Sequence, residues 1–425
     1  MSEPQTADQT AHPAQPGLPT QSPPALSPQA LAKALGLPAP TPEQSRVIAH
    51  PLTPLLVVAG AGSGKTATMS QRVVHLVASG AVRPDQILGL TFTRKATAEL
   101  ASRVSTRLGQ LADARLLPGA GQSSGSAANA AELGEPTIST YNAFAAALVR
   151  DHGLGIGIDP DATLITAARA WQIVDDLLAE RTTPLPLDPT PTTVRAVLRV
   201  DGALSENLLS VEDAAEGLED LHQLFAGLAG IRGLSGLFKG KAGTMATQRA
   251  LLDLAAEYRE HKRRHGLVDF GDQIALACRI VDEVPGAARA LGEQYPAVLL
   301  DEFQDTSVAQ SLLLSRLFAG GGVTAVGDPN QAIYGWRGAS AGALDSFHAR
   351  FNPAGAQAAA AGADPTRATP VLPLSTAWRN DQRILDAANI ISAPLRAHHP
   401  QSGDAAVEHI PVARLAPRPA SAGLA

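Results

Sequence analysis

The chain has 425 residues, enough for two or three domains with cores of their own, and its 45% hydrophobic content marks it as globular rather than disordered. A formal charge of −6 excludes a basic coat that would hold nucleic acid by overall attraction, so any such contact has to be local. A lone cysteine, Cys278, excludes an internal disulfide framework and suits a reducing cytoplasm, and neither a secretory signal nor an uncharged apolar run of the roughly 20 residues needed for a membrane helix is found.

Residues 1–40 are Pro-rich and lack hydrophobic periodicity, which predicts a disordered tail. From Thr41 onward, four short β-type runs stand out: Leu55–Val58, Ile87–Phe92, Val298–Leu300 and Val323–Val326. Runs of this length suit strands buried on both faces of a parallel sheet, and ligands of such sheets bind beyond the carboxyl ends of the strands. Residues 110–135, rich in Gly, Ala and Ser, read as a loop. A mostly helical stretch follows over 167–280, with Trp171, Val174 and Leu178 on one face. Leu312, Leu313 and Leu317 repeat similar spacing further on. Residues 353–370 read as a second loop or boundary, and Ile384, Leu385, Ala388 and Ile391 form a last apolar stripe.

The first strand runs into Ala59-Gly60-Ala61-Gly62-Ser63-Gly64-Lys65-Thr66, a phosphate loop with alanine at the usual first glycine. Small residues let backbone N–H groups curl round phosphate oxygens, and the following helix aims its positive end at them. Lys65 is placed to reach the β- and γ-phosphates and the Thr66 hydroxyl to bind Mg²⁺. Such a loop specifies only a nucleoside triphosphate. The third strand narrows the choice, because it ends in Asp301-Glu302-Phe303-Gln304-Asp305. Asp301 can hold Mg²⁺, and Glu302 can take a proton from an attacking water, which hydrolytic motors need and kinases do not.

Taken in order, the motifs resemble those of UvrD/PcrA/Rep-type superfamily 1A DNA helicases, most closely the AdnB-type subunits of actinobacterial helicase-nucleases. The segments that carry the resemblance are Thr41-Pro-Glu-Gln44, Thr91–Ala96, Ser139–Asn142, Val268–Asp272, Asp301–Asp305, Gly327–Gly338 and Leu374–Asn380. Asn142 stands where the family usually has His, and Trp378 where it has Tyr.

The resemblance implies an α/β fold. Residues 41–148 and 263–350 would form a RecA-like domain 1A, 149–262 a helical insertion 1B, and 351–425 the opening of a second RecA-like domain 2A. It implies ATP and Mg²⁺ as cofactors, with Gln44 reading adenine, Trp378 stacking on it, Gln331 sensing the γ-phosphate, and Arg379 serving as an arginine finger from the second domain. Phe92, Asn142, Tyr334, Trp336 and Arg337 would face single-stranded DNA, with 3′-to-5′ movement and duplex junctions as the substrate context. A second helicase-nuclease subunit is an implied partner. The family's motifs V and VI and a nuclease signature do not follow Ile391. A second reading therefore stands beside the first: a module that holds nucleotide or DNA without turnover of its own.

Overall fold

Each of the four apolar runs becomes a strand because it alternates between two cores. In the computed structural model, which describes residues 26–118, 134–182, 185–231, 233, 235–335, 339, 342–360, 368–396, 410 and 412–418, the strands are β1 (Leu55–Ala59), β2 (Ile87–Thr91), β3 (Thr137–Thr140), β4 (Thr163–Leu164), β5 (Leu267–Val268), β6 (Ala297–Leu300), β7 (Gly322–Gly327), β8 (Val371–Leu374), β9 (Thr376–Ala377) and β10 (Ala416–Pro417). Six of them form one parallel sheet in the order β3-β2-β6-β7-β1-β8. Leu55, Val57 and Leu299 point into a core shared with the helices Lys65–Ala78 and Arg94–Asp113. Leu56, Leu88, Leu90, Val298 and Leu300 point the other way, onto Tyr141–His152, Phe270–Glu283 and Val308–Phe318. This period of two, apolar on both sides, is what a covered parallel sheet requires. β6 and β7 slot between β2 and β1, so the sheet closes only when chain from both sides of the insertion is present.

The insertion has its own core of Ile165, Ile173, Val174, Val194, Leu254 and Tyr258. Trp171 packs on this core beside buried Val174 and Leu178. β4 and β5 pair where the chain enters and leaves the insertion, Thr163 opposite Leu267. At that neck Lys262, 3% exposed, reaches Asp201 at 3.2 Å, Asp269 at 2.7 Å and Asp272 at 2.8 Å. A buried ammonium among three carboxylates is tolerable only because they satisfy it.

Five expectations need correction. Residues 28–34, inside the expected disordered tail, are a helix: Ser27 caps it and Leu31 and Ala32 are buried. The boundary at 149 cuts the helix Tyr141–His152, whose Leu148 and Val149 belong to the sheet's core, so the insertion begins beyond it. Residues 353–360 are helical, not a loop, because Pro353 opens a run of strong helix formers. The boundary at 351 is also displaced, since β8 hydrogen-bonds to β1 in register, Val57 opposite Leu372 and Ala59 opposite Leu374. Val371–Leu374 thus completes the first sheet. The helix Arg94–Asp113 takes the first part of the expected loop 110–135, and 119–133 lies outside the described residues.

Candidate active site

β1 ends at Ala59, and the chain then turns through Gly60–Gly64 into the helix Lys65–Ala78. Gly62 and Gly64 hold φ of +74° and +83°, a left-handed conformation natural only to glycine. Among the described residues no side chain caps the helix, so its first amides are left facing an incoming anion. Among the described residues the Ser63 hydroxyl is buried without a partner, which also suits a polar ligand.

Lys65 Nζ lies 2.7 Å from Glu302 Oε2. Beside it, Asp301 is 6% exposed and its carboxyl is pushed up to about 6, by burial first and by the Glu302 charge second, with Lys65 opposing. Asp305 is raised to about 6 for the same leading reasons, and among the described residues its Oδ1 is buried without a partner. Glu302 itself sits at φ +49°, a strained position for a side-chain-bearing residue. Three carboxyls gathered round one lysine leave room for further positive charge. A hydroxyl at Thr66 and a carboxylate at Asp301 are the oxygen donors a hard divalent cation takes, so the residues fit Mg²⁺.

A chain of hydrogen bonds leads away from this point. Gln304 Nε2 donates to Glu302 Oε2 at 2.9 Å, and its Oε1 accepts from the Asp328 N–H at 3.1 Å. Asp328 Oδ2 in turn accepts from Gln331 Nε2 at 2.5 Å. Three residues on, Tyr334 meets Phe92 with ring centroids 5.1 Å apart. Phe92 borders a cavity of about 570 Å³ that is also lined by Arg94, Asn142, Glu206, Phe270 and Gln310.

Two of the expected ligand-reading amides are already engaged. Gln44 closes the cap of its own helix, accepting from the Thr41 N–H at 3.0 Å, and its Nε2 faces Ser63 O at 3.5 Å. Asn142 donates to Phe270 O at 3.2 Å and accepts from Gln310 at 3.1 Å, which fixes it at the cavity wall with part of its capacity spare. Trp378, 42% exposed, donates its backbone N–H to Gly62 O at 2.9 Å. Arg379 is exposed beside Gly62. It stands two residues beyond β9, which pairs with β10 in a two-stranded sheet separate from the first. Trp336 and Arg337 lie outside the described residues.

The UvrD/REP helicase N-terminal domain family matches residues 40–352, more than half of the chain. The chain belongs to this family. It is 28% identical to the ATP-dependent DNA helicase PcrA of Bacillus subtilis over 349 residues, 82% of this chain and 38% of that protein. It is 28% identical to the ATP-dependent DNA helicase UvrD1 of Mycobacterium tuberculosis over 361 residues, 83% and 39% of the two chains. A probable DNA helicase II homolog of Rickettsia felis is 26% identical over 315 residues, 73% and 40%. The chain therefore spans about two fifths of the length of these relatives. No described helix is long and apolar enough to cross a membrane.

Within this helicase-type domain, sequence reasoning missed three contributors. Gln304 and Asp328 lie inside motifs already singled out, and only their bonding reveals them as the link. Phe270 is 53% exposed at the first position of its helix, beside the cavity. A large apolar residue directly after the capping Asp269 was its available signal.

Proposed function

We propose that this chain is the ATP-binding part of an ATP-dependent DNA helicase or translocase that couples hydrolysis to 3′-to-5′ movement on single-stranded DNA. The observation that carries the reading is the continuous path Lys65–Glu302–Gln304–Asp328–Gln331, which ends three residues from the Phe92–Tyr334 pair. In this reading Lys65 and the loop amides hold the phosphates, and Thr66 and Asp301 hold Mg²⁺, which supplies charge neutralisation on the phosphoryl oxygens when bound. Glu302 accepts the proton of the attacking water. Gln331 senses the terminal phosphate, and Arg379 stabilises charge on it from beside Gly62. Trp378 and Gln44 face the adenine. Phe92, Tyr334, Trp336 and Phe270 offer π-faces to successive bases, which suits sequence-blind binding, with Asn142, Arg337 and Arg94 at the backbone.

The same path serves binding as well as turnover, which leaves a second reading, a nucleotide- and DNA-holding module that turns over only with a further domain or a helicase-nuclease partner of the AdnB-type arrangement. ATP hydrolysis with and without a short oligo(dT), by this chain alone and after appending the remaining domains of a PcrA relative, separates the two. Stimulation in the chain alone supports the first; stimulation only after extension supports the second. Unwinding of 3′-tailed over 5′-tailed duplexes by the extended protein tests the polarity, and preference for 5′ tails would overturn it.

A further inference from the structure

All three glycines of the phosphate loop stand where a side chain would be crowded by a neighbour, and at Gly60 it would clash. A Cβ on Gly64 would lie 3.0 Å from Gln44 Nε2, and one on Gly62 would lie 3.0 Å from Arg379 Cβ. The Gln44 and Arg379 clamps come from segments already assigned to nucleotide. The third does not: a Cβ on Gly60 would run into the side chain of Leu415, from a stretch of chain given no role so far. Leu415 is firmly placed. Its N–H donates to Asn389 Oδ1 at 3.0 Å and its carbonyl accepts from Asn389 Nδ2 at 2.9 Å, and Asn389 is 4% exposed. β10 follows at once, with the Ala416 N–H on Ser375 O at 2.9 Å and the Arg418 N–H on Ala377 O at 3.2 Å. Ser375 is anchored in turn by Glu43, which accepts from its hydroxyl at 2.7 Å and its N–H at 2.8 Å. Residues 412–418 thus form a strap tied to the helix Gln382–Ile391 and to β9 and, only through Ser375, to the helix Pro42–Ile48.

We propose that Leu415 and Asn389 are positioning residues for nucleotide binding: Asn389 fixes the Leu415 backbone, and the Leu415 side chain bears on Gly60 and holds the phosphate loop in its anion-binding shape. A loop of small residues has many conformations to lose when phosphate arrives, and a neighbour that removes them beforehand raises affinity without touching the ligand. The inference rests on the reading of this loop as a nucleotide site.

The test is titration of the full chain with a fluorescent ADP and Mg²⁺, alongside thermal melting. Leu415→Ala and Asn389→Ala are each expected to weaken binding about tenfold, the size of losing one loop's preorganisation. Because both act through one contact, the combined variant should be about as weak as either alone, not the product of the two. Leu415→Met should bind as the parent does. Gly60→Ala should weaken binding, and adding Leu415→Ala to it should tighten binding again, a reversal that general loss of stability cannot produce. Lower melting with unchanged affinity for Leu415→Ala, or no reversal in the Gly60→Ala pair, overturns the inference while leaving the nucleotide site in place. A parent that fails to bind the probe overturns the nucleotide reading and the inference with it.

Discussion

Replacing Glu302 with Gln should split binding from hydrolysis in opposite directions. Glu302 holds Lys65 at 2.7 Å with the two side chains 13% and 33% exposed, so the lysine's charge is partly committed before any phosphate arrives. Ion pairs of this exposure contribute up to about 1 kcal/mol, so releasing Lys65 should tighten Mg–nucleotide binding by as much as about fivefold. Glutamine keeps the shape, can still accept from Gln304, and is no worse suited to the left-handed backbone at this position. It cannot take a proton from water, so hydrolysis by a form that turns over should fall on the order of 10²-fold or more. Equilibrium titration with a fluorescent nucleotide reads the first effect and single-turnover hydrolysis the second. Weaker binding together with parental hydrolysis would refute both roles given to Glu302.

Lys65→Ala should weaken nucleotide binding at least about tenfold, since it removes the cation among Asp301, Glu302 and Asp305; the same titration checks it, and parental affinity would show that the phosphates sit elsewhere. Phe92→Ala should weaken oligo(dT) binding by about 1–3 kcal/mol while leaving its salt dependence alone, measured by anisotropy at several salt concentrations. Trp336→Ala is expected to do the same, and an unchanged affinity in either folded variant removes that ring from the groove. At the neck, burial foremost raises the Asp272 carboxyl to about 6, above its ordinary 3.8. A carboxyl raised by folding stabilises the folded state while protonated, so this contribution is present at low pH and is lost as pH climbs from about 4 through 6. Asp272→Asn should remove that part of the parent's melting profile, and a parent–variant difference that is constant from about pH 4 to 7 would contradict it.

The elements most legible in the sequence were those whose signal is local. Val298–Leu300 running into Asp301-Glu302 announces both a buried strand and its chemistry, because burial and charge meet within a few residues. Lys65 is equally plain, fixed by glycines whose positive φ no other residue adopts readily. What stayed hidden depends on distant pairing. Val371–Leu374 carries a proline and half-exposed positions, so nothing in it says which sheet it joins; its hydrogen bonds to β1 decide that. Gln44 is similar: its contact with Ser63 O in the phosphate loop, 19 residues away, follows from the fold alone. Lys262 gave no sign of being buried: Asp269 and Asp272 lie nearby in the chain, but Asp201 reaches it only when the insertion folds back.

The central claim is that the phosphate site and the aromatic groove are ends of one connected path. It is tested most directly by titrating the chain with fluorescent Mg–nucleotide in the absence and presence of saturating oligo(dT), and then in reverse. The path through Gln304, Asp328 and Gln331 predicts that each ligand shifts the other's affinity by the same factor, on the order of fivefold or more. It also predicts that Gln331→Ala abolishes the shift while both ligands still bind. Two ligands that bind with affinities wholly indifferent to one another would contradict the coupling.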